Sequence, residues 1–340
     1  MSRNSTISLA VVAKLSGVST STVSRILNNR SDGFSVRDET RKRVLKVAKD
    51  LNYRTDPIAR SSRAKHTNLI AVLGMQDFGT AIRGSTEEAL NKFMQITYAS
   101  GYELCMNVIS PEQSIYELPR WRVDGAIVVD CSDNNHLKSL DESGVPYVTI
   151  NGPAGINGSS VSVDDMLGTK EALLHLMALG HKRIAYAIPD QYDWHRSLES
   201  RHAAYIRTLK EVNIEPLTPI IPEPEPPIEA VRKMVTEQGA TAILVYHHMM
   251  AVKIIRALHT LGYHVPRDIS LICFNDLFPC EDMVPSLTAM SLPSNQMGVK
   301  AAEIILKQLR NPDTAEPQQI ILSERLVIRE STAPAPLIES

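Results

Sequence analysis

The chain has 340 residues, 43% of them apolar and 22% charged, and a net charge of −2. That length suits two or three domains rather than one. No run of about 18 apolar residues occurs, which excludes a membrane-spanning helix of that kind, and the N-terminus lacks an apolar signal core, so a cytoplasmic protein is expected. The first predicted elements are two short helices. Residues 8–29 read SLAVVAKLSGVSTSTVSRILNN, with apolar positions Leu9, Val12, Ala13 and Leu15, then Val23, Ile26 and Leu27. Between the two runs, Gly17 can take the left-handed conformation that ends a helix, and Ser19 is a good N-cap for the next. Val18 then points back into their small core. This is helix-turn-helix spacing. Thr20, Ser21, Thr22, Ser24, Arg25 and Asn28 fall on the outer face of the second helix. Short hydrogen-bonding side chains with one guanidinium fit a major groove. An ordinary helical hairpin with a polar face has the same bare spacing.

Charge weighs between those alternatives. Residues 1–66 carry 14 Lys and Arg against 5 Asp and Glu, whereas the remainder carries 22 against 33. A basic head on an acidic body is the footprint of a DNA-binding domain attached to a domain with other business. Its cations can neutralise phosphates and release counterions. After a polar loop at residues 30–36, Ser35 and Asp38 have capping-box spacing. A third helix is predicted from about Asp38 to Leu51, with Val44, Leu45, Val47, Ala48 and Leu51 inward and Arg41, Lys42, Arg43, Lys46 and Lys49 wet. In the linker that follows, Asp56 and Pro57 are a helix start. The helix they begin, IARSSR, is too short to hold alone. It is expected to order only when something packs on it; a plain tether is the other reading.

From Thr67 the pattern becomes short apolar strands alternating with amphipathic helices. Strands are predicted at 69–74, 103–109, 126–129, 147–150, 183–188, 242–246 and 270–275, and helices near 81–99, 166–179, 197–212, 228–237, 249–261 and 295–309. Continuously apolar strands separated by helices indicate parallel sheets covered on both faces. The stretch is longer than one sheet needs, so two α/β subdomains fit better. A Pro-rich segment at 217–227 reads as an exposed connection. Cys105, Cys131, Cys273 and Cys280 show no C-x-x-C spacing, so neither a metal site nor a redox pair is expected, and no cofactor is implied. Phosphate-loop, dinucleotide, nucleophile-elbow and zinc-protease signatures are absent. Asp164 and Asp165 could pass for paired acids, but at the end of SVSVDD they fit a helix N-cap equally well. An enzyme is therefore not expected. A ligand-binding module without DNA binding is the second class to weigh, and Arg25 with the basic head speaks against it.

The wording AVVAKLSGVSTSTVSRILN resembles the N-terminal motif of the lactose-repressor/galactose-repressor (LacI/GalR) family of bacterial transcription regulators. The resemblance continues through ETRKRVLKVAKDLNYR and DPIARSSR, and resumes in VDGAIVV, LMALGHKRIAY, VPRDISLICFND and PSLTAM, in the family's order. It implies an α+β multidomain protein. An all-α helix-turn-helix head would span 1–54 and a hinge 55–66. A periplasmic-binding-protein-like ligand-binding and dimerisation domain of two parallel-sheet subdomains would span 67–331, and a tail 332–340. It implies chain crossings near Asp164, Ser291 and Gln318. The tail lacks a leucine heptad, so no added tetramerisation helix is expected.

The partners implied are double-stranded operator DNA, a small effector and a second copy of the chain. The resemblance places DNA contacts at Leu9, Ser19, Thr20, Ser21, Thr22, Arg25 and Asn28 in the head, and at Ile58, Ala59 and Ser62 in a hinge that pairs in the minor groove. Where most members insert a leucine between base pairs, this chain has Ser62, so a weaker kink or a wedge shifted to Ile58 is expected. Ligands in such folds sit beyond the carboxyl ends of strands. That places Asp77, Phe78, His247, His248 and Asn275 at the effector site, with Arg201, in SRHAAY, at the position of an effector-contacting arginine. The family usually has Asn-Asp where this chain has His247-His248, and Asp where it has Asn275. With Arg201, those changes move the expected cleft toward positive potential. The effector is accordingly expected to be a sugar, either neutral or an acidic or phosphorylated derivative.

Overall fold

The structure, a computed structural model, describes residues 8–27, 36–53, 66–74, 84–107, 118, 122–129, 131, 134–190, 196–221, 226–312 and 314–336. The chain divides after Thr67 into two compact units.

In the first unit, α1 (Leu9–Ser16) is ended by Gly17, whose φ of 64° lies in the left-handed region that glycine enters without a Cβ penalty. The N–H groups of Gly17 and Val18 turn back onto the carbonyls of Lys14 and Ala13. α2 (Thr20–Leu27) starts after Ser19, whose Oγ accepts from the Thr22 N–H at 3.2 Å. α3 runs Asp38–Asp50. The three helices bury Val12, Ala13, Val23, Ile26, Val44 and Ala48, with Leu9, Val18, Leu51 and Tyr53 packed against them. Arg43 Nε donates to the Ser16 carbonyl at 3.0 Å and ties α3 to the end of α1. Two expected core residues are outside this core: Leu15 is 59% and Leu45 47% exposed. Each lies off the helical stripe that Val12, Ala13 and Ser16, or Val44 and Ala48, turn inward. Ser35 lies outside the described residues, and Arg37 holds the N-cap position of α3 without a side-chain bond.

The second unit runs β1 (Leu69–Leu73), α4 (Ser85–Ala99), β2 (Glu103–Asn107), β3 (Gly125–Val129), α5 (Lys138–Ser143), β4 (Tyr147–Ile150) and β5 (Ser159–Val163). It continues with α6 (Asp165–Ala178), β6 (Ile184–Pro189), α7 (Arg196–Glu211), β7 (Ile220–Ile221), α8 (Ile228–Arg232) and β8 (Ala242–Val245). The last elements are α9 (His248–Thr260), β9 (Ser270–Phe274), β10 (Thr288–Ser291), α10 (Ser294–Arg310), β11 (Gln319–Leu322) and β12 (Arg325–Val327).

Among the described residues these strands form two six-stranded sheets, ordered β11-β5-β4-β3-β1-β2 and β12-β10-β9-β8-β6-β7. The first is parallel throughout; in the second, β12 runs antiparallel to β10. The central strands are buried along their length, which is what helices on both faces of a parallel sheet require. The chain leaves the first sheet at Asp164, returns after Ser291, and crosses again at Ser323-Glu324. The third crossing falls later than the sequence implied, because residues 319–322 first pair with β5 as an edge strand. Part of the Pro-rich segment is likewise strand β7, with Ile221 fully buried. Residues 332–335 are docked rather than a free tail: His181 Nε2 meets the Ala333 carbonyl at 3.1 Å, and the Ala335 N–H donates to Leu179 at 2.8 Å.

Candidate functional site

The first candidate site is the start of α2. Its N-cap fixes more than the backbone: Ser19 Oγ also lies 2.8 Å from the hydroxyls of both Ser21 and Thr22. Ser19, Thr20, Ser21 and Arg25 are exposed and Thr22 half-exposed, so the structure brings five of the expected DNA-contacting residues onto one short helix and its N-cap, four at its start and Arg25 in its last turn. Leu9 differs from them, since it is half-buried against the head's core. Asn28, Ile58, Ala59 and Ser62 lie outside the described residues.

The second candidate site is a cavity of about 330 Å³ in the body. One wall is the turn Asn275-Asp276-Leu277 after β9; the others are the crossing Ser291-Leu292-Pro293 and the first turns of α10 (Ser294, Asn295, Gln296) and α4 (Ser85, Glu88). The cavity thus lies where elements of both sheets meet, beyond the carboxyl end of β9, where ligands of open α/β sheets bind. Asn275 adopts a φ of 67° to make the turn, a conformation asparagine tolerates better than most residues. Asp276 is held by Arg329, which donates to its two oxygens at 2.7 and 3.0 Å and to the Leu287 carbonyl at 2.7 Å.

The other expected effector residues are placed differently. Arg201 is 3% exposed and each of its three guanidinium nitrogens is hydrogen-bonded within the protein. Nε donates to Asp165 at 2.6 Å, Nη2 to Glu324 at 3.3 Å and Nη1 to the Tyr246 carbonyl at 3.3 Å, and the Phe274 ring lies 3.9 Å beneath it. Two carboxylates therefore offset its charge. Burial pushes the Glu324 carboxyl up to about 7; Asp165 adds to this and Arg201 opposes it. His247 is the N-cap of α9, its Nδ1 accepting from the Met250 N–H at 3.1 Å. His248 is 4% exposed, neither ring nitrogen has a hydrogen-bond partner among the described residues, and burial lowers its pKa against the pull of Asp276. Arg201, His247 and His248 do not line the cavity; Asn275 does. Asp77 and Phe78 lie outside the described residues. The described lining does not itself carry the electropositive cleft expected: it holds Glu88 and the Arg329-paired Asp276 and no Lys or Arg among the described residues. Sequence reasoning missed Ser85, Glu88 and the first turn of α10, which only the return crossing brings opposite Asn275. It also read Asp164 and Asp165 as one unit. Asp164 caps α6 by accepting from the Leu167 N–H at 2.9 Å, while Asp165 turns inward to Arg201.

A helix-turn-helix head joined to a two-sheet body with a cavity between its sheets defines a ligand-responsive DNA-binding regulator. The sequence matches the profile of bacterial regulatory proteins of the lacI family over residues 8–56, and that of the periplasmic binding protein-like domain over residues 173–332. It is 29% identical over 336 residues to the HTH-type transcriptional repressor PurR of Mannheimia succiniciproducens, covering 94% of this chain and 97% of that protein. The fold superposes on the lac repressor dimer bound to operator and the anti-inducer ONPF with a TM-score of 0.80, at 22% identity, covering 97% of this chain and 100% of that one. It superposes on the CelR-cellobiose complex with a TM-score of 0.67, at 23% identity, covering 96% and 99%. The chain thus carries a LacI-family helix-turn-helix domain and a periplasmic-binding-protein-like domain. Among the described residues no helix is long and apolar enough to cross a membrane.

Proposed function

We propose that this chain acts in the cytoplasm as a homodimeric repressor of carbohydrate-related genes, with each head reading one half of a pseudo-palindromic operator. The observation that carries this reading is the exposed cluster Thr20, Ser21 and Arg25 on a helix whose start is fixed by Ser19. Such a helix enters a major groove with its first turn at the base edges. Leu9, Thr22 and Asn28 would flank it, and Ile58, Ala59 and Ser62 would follow the minor groove. A bidentate contact from Arg25 to guanine is worth about 1–3 kcal/mol. In fluorescence anisotropy at fixed salt, a Thr20/Ser21/Arg25 triple alanine variant loses operator selectivity and falls to non-specific affinity. Unchanged selectivity rules the assignment out.

The effector we infer for the cavity is a neutral sugar or similar polyol. Ser85, Asn275, Ser291, Ser294, Asn295 and Gln296 offer uncharged donors and acceptors there, Glu88 would repel an anion, and the charge of Asp276 is already offset by Arg329. An acidic or phosphorylated sugar is the competing class. Calorimetric titration of matched pairs, each neutral sugar against its acid and its phosphate, separates them. The neutral member of the binding pair is expected to bind at least tenfold more tightly; tighter binding of the charged member overturns the inference.

A further inference from the structure

Cys273 and Cys280 sit seven positions apart, a spacing that matches no redox motif, yet the turn after β9 brings their sulfurs to 3.8 Å. Both are fully buried. Cys273 belongs to β9, a strand held between β8 and β10. Cys280 lies in the loop that returns to β10. Its N–H donates to the Leu277 carbonyl at 2.8 Å, its sulfur faces the Asn275 carbonyl at 3.7 Å, and its carbonyl accepts from the Leu287 N–H at 2.8 Å. The same loop supplies Asn275, Asp276 and Leu277 to the cavity wall.

We propose that Cys273 and Cys280 are an oxidisable dithiol, and that closing it to a disulfide shifts the cavity wall formed by residues 275–277. The oxidant is hydrogen peroxide or an organic hydroperoxide. Cys280 attacks the peroxide oxygen as thiolate, breaking the O–O bond; the leaving oxygen takes up a proton, and Cys280 becomes a sulfenic acid. Cys273 then attacks that sulfur and releases water, its thiol proton leaving with the departing hydroxide. Two thiols lose two electrons and two protons, and the peroxide is reduced to water, or to water and an alcohol. Cys280 is the better nucleophile of the two because the Cys273 S–H and the Leu277 backbone N–H favour its thiolate, while the same contact and burial hold Cys273 protonated. A disulfide needs the sulfurs at about 2.05 Å. The gap must close mainly by movement of the loop, because Cys273 is fixed in the sheet while the loop exposes Phe278 and Val284 at 75% and 94%. Opening of that loop is also how peroxide reaches the pair, so oxidation is expected to be slower than that of a surface thiol.

The full-length protein is incubated with excess hydrogen peroxide, alkylated under denaturing conditions, digested with trypsin and weighed. Both cysteines fall in one tryptic peptide, residues 268–300. That peptide is expected to have lost two hydrogens, to resist alkylation, and to take up two alkyl groups once reduced with dithiothreitol. Cys280→Ala is expected to abolish the loss while Cys105 and Cys131 remain alkylatable in both proteins. Full alkylation of the peptide after peroxide overturns the proposal, as does oxidation of Cys280 to sulfinic acid with Cys273 still free, or a crosslink to another cysteine. Hydrogen exchange compares oxidised with reduced protein. A change is expected across residues 275–287; unchanged exchange there overturns the coupling to the cavity wall.

Discussion

Arg201→Ala is expected to destabilise the body by about 3–5 kcal/mol, the cost of removing one partner from a buried ion pair. The arginine is 3% exposed and faces Asp165 and Glu324 at 2.6 and 3.3 Å. Without it, two buried carboxylates lose the counter-charge they share. The charged form of Glu324 then becomes the burden, so the loss is expected to be largest at pH 8 and to shrink toward pH 5 as a proton neutralises it. In the native protein, burial already holds the Glu324 carboxyl at about 7, above its ordinary 4.5. The folded state therefore keeps a proton that the unfolded chain releases between about pH 4.5 and 7, and stability falls as pH rises through that window. Glu324→Gln removes this slope: its melting temperature should match the native protein at pH 5 and exceed it at pH 8. Urea titrations of the native protein and both variants at the two pH values check this. An Arg201→Ala variant as stable as the native protein at pH 8 would contradict the buried triad. Loss of effector response in Arg201→Ala alone is then no sign of direct contact, because the body that carries the cavity is itself damaged.

The parts of this molecule governed by close neighbours along the chain are legible in its sequence. Gly17 and Ser19 act on residues within one helical turn, so the turn of the head follows from local chemistry. The apolar runs of β1, β3, β4, β8 and β9 need only composition. What sequence does not carry depends on distance along the chain. Arg201 meets Asp165 across 36 positions and Glu324 across 123. No periodicity encodes that pairing, so a guanidinium that looks available to a ligand is already engaged. The edge strands β7, β11 and β12 are two to four residues long, each starts on an exposed residue, and none has a continuous buried run. Their existence depends on the strand beside them rather than on their own wording. The two thiols are brought together by a left-handed asparagine and a loop, neither of which any spacing rule anticipates.

Gly298→Ala separates helix propensity from packing. In an isolated helix the change would gain about 1 kcal/mol. In α10, however, a Cβ at this position would run into the Ala89 carbonyl oxygen of α4 and meet Lys92 Cβ at 2.9 Å. The first obstacle is backbone and cannot rotate away. The two helices would have to part by more than an ångström, along a seam lined by Ala89, Phe93, Ala301 and Ala302, all fully buried. Overpacking of this kind costs about 1–3 kcal/mol, and parting the seam also gives up contacts that no other element replaces. The net expectation is a loss of about 2 kcal/mol, which for a body of this size lowers the melting temperature by about 4–8 °C. The same seam sets the cavity, since Ser85 and Glu88 stand at the start of α4 and Ser294 to Gln296 at the start of α10. Gly298→Ala is therefore expected to weaken effector binding while leaving operator affinity without effector unchanged, because the head contains neither helix. Calorimetry with the neutral sugar that binds the native protein, run beside operator titration, measures both. A variant more stable than the native protein would mean that propensity outweighs the close approach of α4 and α10.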